Sequence, residues 1–175
     1  MNDKKRQKNI GKDCAYIAVF VALTIAAQLC LSFLPGIEVV TVLFVAYSFA
    51  FGCKRGMLAA TVFSLLRQLV FGFFPTVLVL YLVYYNALAA LFGFLGKRVR
   101  LTPKNVVWLT VVACVCTMCF TVLDNIITPL WYGYSGRVFK LYFYASFSFM
   151  LPQVICTAIS VGVLFFPLTK IFKKL

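Results

Sequence analysis

Histidine is absent from the 175 residues, and only four residues are acidic: Asp3, Asp13, Glu38 and Asp124. Without histidine there is no Ser-His or Cys-His nucleophile pair. No two of the four carboxylates fall within one apolar segment, so no acid–base couple stands out. The phosphate loop Gly-x-x-x-x-Gly-Lys-Ser/Thr and the dinucleotide fingerprint Gly-x-Gly-x-x-Gly are missing as well. An enzyme is therefore not expected, nor a cofactor. ATP cannot be hydrolysed by a P-loop route, so energy for any transport has to come from an ion gradient or a partner.

Charge is scarce overall. Charged residues make up 12% of the chain and hydrophobic residues 63%, against roughly 25% and 45–50% in soluble domains. A soluble domain of this length could not hide so much apolar surface in one core. The natural solvent is lipid. Spans of ~20 residues leave room for six helices with short loops, so the expected fold class is all-α, a six-transmembrane-helix bundle.

What charge there is has one sign. The net charge of +13 could be read as a nucleic-acid footprint, but the basic residues sit in short clusters between hydrophobic runs. That is how a membrane protein marks its cytoplasmic side, and no nucleic-acid partner is expected. The seven cysteines (14, 30, 53, 114, 116, 119 and 156) lie almost entirely in apolar runs. An odd number there reads as reduced, small hydrophobes. The Cys114, Cys116, Cys119 cluster has no histidine to join it and only apolar neighbours, so no metal is expected.

Residues 1–13 form a polar, basic cytoplasmic start lying on the membrane surface, and 14–175 the membrane domain. Spans are expected at about 15–34, 37–52, 57–74, 76–95, 106–123 and 143–169. The first is too long for a signal-peptide core. The second reaches only ~24 Å, so it crosses a thinned region or is shielded by its neighbours. Residues 124–142 are expected as the longest connection, and Pro152 as a kink in the sixth span.

Orientation follows from counting. With the N-terminus inside, the cytoplasmic segments hold Lys4, Lys5, Arg6, Lys8, Lys12, Lys54, Arg55, Lys97, Arg98, Arg100, Lys104, Lys170, Lys173 and Lys174, fourteen of the 17 basic residues. The outer segments hold Arg137 and Lys140, and Arg67 lies within a span. Such asymmetry requires an even number of crossings. Both termini are expected in the cytoplasm.

Polar residues at membrane depth are the candidate site. Glu38 opens the second span, Arg67 lies ~15 Å into the third, and Asn86 is near the middle of the fourth. Asp124 and Asn125 end the fifth, and Gln153 is ten residues into the sixth. All fall at the midplane or in the outer half, as a water-filled cavity opening outward would require. Arg67, Asn86, Asp124 and Gln153 are expected to share that cavity, walled by Tyr84, Tyr85 and Trp131. An arginine at mid-depth costs at least ~2.5–3.5 kcal/mol. Two readings stand open: an ion pair with Asp124 or Glu38 (or snorkelling), and a cationic anchor for a substrate. Trp131, Tyr132 and Tyr134 read either as an interfacial belt or as a lid on a planar ligand. In the first span Ala15, Ala18, Ala22 and Ala26 fall within an arc of ~80° on one face. Such a ridge packs inside the bundle or docks a separate subunit.

This layout resembles the substrate-binding S components of energy-coupling factor transporters, bacterial vitamin-uptake systems. The resemblance rests on six short spans, the alanine ridge, the basic N-terminus, and Pro35-Gly36-Ile37-Glu38 followed by Phe51-Gly52-x-x-x-Gly56. It covers nearly the whole chain. It implies a multi-pass protein of the bacterial cell membrane that binds a vitamin or related micronutrient near the outer surface. It also implies docking, through Ala18, Ala22 and Ala26 with Ala15 extending the ridge, onto a transmembrane scaffold subunit with two cytoplasmic ATPase subunits. The substrate residues of known members find no counterpart here. At this level the chain also looks similar to rod-shape-determining membrane proteins, scaffolds of cell-wall elongation that bind proteins and not a solute. A lipid-processing transferase is the weakest reading, for want of acid–base residues.

Overall fold

An apolar run in lipid must satisfy every backbone amide internally, which for a single segment means an α-helix. The computed structural model describes residues 2–33 and 39–174, with side chains from residue 11 onwards. Six helices carry the described residues: α1 (Asn2–Leu31), α2 (Val40–Phe51), α3 (Cys53–Phe71), α4 (Pro75–Arg98), α5 (Pro103–Tyr132) and α6 (Gly136–Phe172). No strand occurs among them. Proline opens α4 and α5, where its missing N–H costs no hydrogen bond. Gly52 breaks α2 from α3 with φ at 86°.

Among the described residues four helices are long and apolar enough to cross a membrane: residues 11–31 of α1, and α4, α5 and α6. The 12 residues of α2 reach only about 18 Å. The 19 residues of α3 reach about 28 Å but carry Lys54, Arg55 and Arg67. An exposed stripe on α5 (Val107, Val111, Val115, Met118, Val122, Ile126) recurs every three or four residues. Such a face has no place in water. The protein is embedded in a membrane.

Two boundaries differ from the sequence reading. The basic segment at 2–13 is already helical as the start of α1. The expected connection at 124–142 is also helical, apart from 133–135. Polarity at Asp124 and Asn125 does not stop α5, because a helix tolerates polar side chains that find partners. What stops it is Gly133, in the left-handed conformation at φ 65°, with the Tyr134 amide returning to the Pro129 carbonyl at 2.9 Å.

The core forms around α2, whose residues from Val40 to Phe49 are all buried. A helix that is apolar all round has to be enclosed, and α1, α3, α4 and α6 enclose it. Its rings interlock with theirs: Phe44 meets Phe20, Phe63 and Tyr85 at 4.9–5.2 Å between centroids. Glycines bring the backbones together. A Cβ on Gly93 of α4 would strike the Cys53 backbone, and one on Gly96 the Phe49 backbone.

These contacts collect the basic helix ends at one end of the bundle. Arg55 pairs with Asp13 at 2.7 Å, joining the starts of α3 and α1. Lys173 lies 5.3 Å over the Phe49 ring, and the Phe172 ring is 6.1 Å from that of Phe51. Gly96 at the close of α4 backs onto the same place, and Asn105 ties the opening of α5 to the Arg100 carbonyl at 2.8 Å. At the opposite end lie the close of α1, the start of α4 and the α5–α6 turn.

Candidate functional site

Gly133 and Gly136, at φ 65° and 57°, make the three-residue link that returns α6 antiparallel along α5. Midway down this hairpin Thr117 and Thr157 share a hydrogen bond of 3.1 Å, both hydroxyls buried. Towards the turn the two helices border a groove of about 270 Å³ lined by Phe120, Thr121, Asp124, Tyr142, Ala145, Ser146, Phe149 and Gln153. Among the described residues its carboxylate is Asp124.

Both oxygens of that carboxylate are held. Oδ1 accepts from the Thr128 hydroxyl at 2.7 Å, one helical turn on, and Oδ2 from the Tyr142 hydroxyl at 2.7 Å. No lysine or arginine nitrogen lies within 4.0 Å of it among the described residues. Thr121 and Asn125 flank it on α5, 7% and 6% exposed, and among the described residues neither Thr121 Oγ1 nor Asn125 Oδ1 has a hydrogen-bond partner. Buried polar atoms are normally satisfied, and Thr121 is the one of the two that lines the groove.

The single cavity expected from residue depth is divided. Asp124 and Gln153 both line the groove, whereas Asn125, next to Asp124 in the chain, is not among its lining residues. Arg67 does not join them, nor does it pair with Asp124. Its guanidinium lies 4.5 Å over the Tyr81 ring and 4.8 Å from that of Phe71, with Nε and Nη1 buried and unbonded. Aromatic faces, which attract cations, stand where Asp124 was expected, and the other expected counter-ion, Glu38, lies outside the described residues. Asn86 turns to α3, accepting from Thr61 at 3.2 Å and donating to the Leu82 carbonyl at 2.8 Å. Tyr85 is fully buried among core rings. Tyr84 packs on the far side of Phe120 at 4.8 Å, where it lines an apolar cleft with Cys116 and Cys119. Trp131 is exposed, at 57%, and Glu38 lies outside the described residues.

Aromatic rings lie between the separated charges. Tyr81, on Arg67, lies 5.9 Å from Phe120, which lines the groove. Gln28 reaches the Tyr81 hydroxyl at 3.4 Å. Sequence reasoning missed Tyr142, Thr121, Thr128 and Ser146. The Asp124–Thr128 spacing of one helical turn was the available signal, and it carries weight only once 124–132 is known to be helical.

At the basic end α1 presents its other feature. Ala15, Ala18, Ala22 and Ala26 are all exposed, while Ile17, Phe20, Val21 and Thr24, on the opposite side of the helix, are buried. Beside the ridge Tyr16, Val19, Tyr47, Phe51 and Phe172 line an apolar groove of about 290 Å³. No protein family, curated protein or solved structure matches the chain.

Proposed function

We propose that the protein is the membrane-embedded, solute-binding subunit of an uptake system of the energy-coupling factor type, serving a vitamin or related micronutrient. The α5–α6 groove is its solute site. The observation that carries this reading is the groove's chemistry: a carboxylate without a cationic partner among the described residues, the unbonded Thr121 hydroxyl, the Gln153 amide and three aromatic rings on one lining. A polar lining open at membrane depth costs several kcal/mol if it faces lipid, which argues for a bound polar partner.

In this reading the chain crosses the bilayer six times with both termini cytoplasmic, α2 being shielded from lipid by its neighbours. The gathering of basic helix ends at one end of the bundle supports that orientation. Single cysteines at positions 136 and 102, on a cysteine-free background, test it: an impermeant thiol reagent should label position 136 in intact cells and spare 102. The exposed alanine ridge serves as the docking face for the scaffold subunit, which brings the two ATPases that the chain itself lacks.

Native mass spectrometry of protein purified from its own membranes tests the function. The expected result is a complex with one further membrane subunit and two ATPases, or a co-purified small molecule. Co-purification with cell-wall elongation proteins and no solute overturns the reading in favour of a scaffold.

A further inference from the structure

We propose that the α5–α6 groove selects a small organic cation, a protonated amine or amidine carried on a compact, flat body. The proposal rests on the groove being the solute site and names the class of solute it takes.

The groove's charged group is an acceptor. An ionised carboxylate offers about four acceptor positions, and Thr128 and Tyr142 fill two on Asp124. Thr121 Oγ1, on the groove lining, is buried and has no partner among the described residues. The hydroxyl hydrogens nearby are already spent: those of Thr128 and Tyr142 on Asp124, and that of Ser146 on the Tyr142 carbonyl at 3.0 Å. Thr121 alone keeps an unassigned one. Gln153, which also lines the groove, carries an amide group of its own, so what asks for an N–H donor from a ligand is the Asp124 carboxylate with its remaining acceptor positions.

Charge points the same way. Asp124 has no cationic partner within 4.0 Å among the described residues. Arg67 lies behind Tyr81, outside the groove, and Arg137 and Lys140 are exposed near the start of α6. An anion would face an uncompensated carboxylate, whereas an ammonium would neutralise it. The walls suit a cation as well, since Phe120, Tyr142 and Phe149 turn aromatic rings to the groove and rings attract cations at their faces. At about 270 Å³ the space is at the small end for ligand sites, which limits the solute's body to about one ring.

Titration calorimetry on the full chain in phosphatidylglycerol nanodiscs, with empty nanodiscs subtracted, tests this with three probes of one shape: benzylamine, benzyl alcohol and benzoate. Benzylamine should bind saturably and the other two should not. Asp124→Asn, which keeps the shape, should weaken benzylamine roughly tenfold or more, the scale of a hydrogen bond to a charged group. Ala145→Trp, at an exposed position that lines the groove, should abolish binding at an unchanged melting temperature. It decides the matter if Asp124→Asn fails to fold. No saturable benzylamine binding, equal binding of benzyl alcohol or benzoate, or unchanged affinity in the variants overturns the proposal. If a scaffold and ATPases still co-purify, the uptake reading survives that failure. The amine of a lipid headgroup carries the same chemistry as a free solute. Loss of benzylamine binding on adding phosphatidylethanolamine would keep the cation site and give it to lipid, overturning the solute reading of the groove.

Discussion

The Tyr142 hydroxyl lies 2.7 Å from Oδ2 of Asp124, so the start of α6 is fastened to α5 through a charged acceptor. Tyr142→Phe keeps the ring and removes only that bond. Hydrogen bonds to charged groups contribute about 1.5–3 kcal/mol, and a chain of this size shifts by about 2–4 °C per kcal/mol. The variant should melt several degrees lower in nanodiscs. An unchanged melting temperature would mean that the hairpin does not depend on this bond.

Depth along the membrane was readable from the chain, and direction around the helix was not. Counting from the ends of the apolar runs put Arg67, Asn86, Asp124 and Gln153 at similar heights. At 100° per residue, height fixes no face until the neighbours are known. Asn86 turns to Thr61, Arg67 to Tyr81, and only Asp124 and Gln153 meet. Tyr142 was hidden for another reason. Polar and aromatic residues from 124 to 142 read as a connection, while the helix yields only to the left-handed glycine at 133. Helix positions elsewhere were legible because long apolar runs have a single backbone solution in lipid.

Glycines at the basic end divide by what stands behind them. A Cβ at Gly93 would meet the Cys53 backbone, which cannot step aside, whereas one at Gly162 meets nothing within 4 Å. Gly93→Ala should destabilise by about 1–3 kcal/mol, the usual range for overpacking. Gly162→Ala should be neutral or stabilising by up to ~1 kcal/mol from helix propensity. Thermal unfolding of the two variants side by side checks the contrast. Equal effects would mean that α4 does not approach the α2–α3 junction this closely.

Arg67 and Asp124 are opposite charges that do not pair. Their substitutions should therefore add. In a double-mutant cycle of Arg67→Leu and Asp124→Asn, the stability changes should sum within about 0.5 kcal/mol. Tyr81→Leu should instead couple to Arg67→Leu, by ~0.5–2 kcal/mol for the lost cation–π contact. Coupling of Arg67 to Asp124 above ~1 kcal/mol would restore the ion pair and remove the uncompensated carboxylate from the groove.

Adjacent residues on α1 separate folding from docking. Ala22 is exposed on the ridge, and its neighbour Val21 is 1% exposed, facing the core. A tryptophan adds well over ~100 Å² of surface to either site. At Val21 it overpacks a close-packed interior, so Val21→Trp should lower the melting temperature and the yield. At Ala22 it projects away from the bundle, so Ala22→Trp should express, melt and bind solute as the parent does. Its effect falls on whatever helix the ridge receives, because small residues permit a backbone approach that an indole ring forbids. Uptake by cells carrying Ala22→Trp should be lost, and the scaffold and ATPases should no longer co-purify, while Val21→Trp fails at the earlier step. If Ala22→Trp transports normally, the ridge faces lipid and the docking face lies elsewhere. If it misfolds like Val21→Trp, the ridge is part of the bundle's own packing.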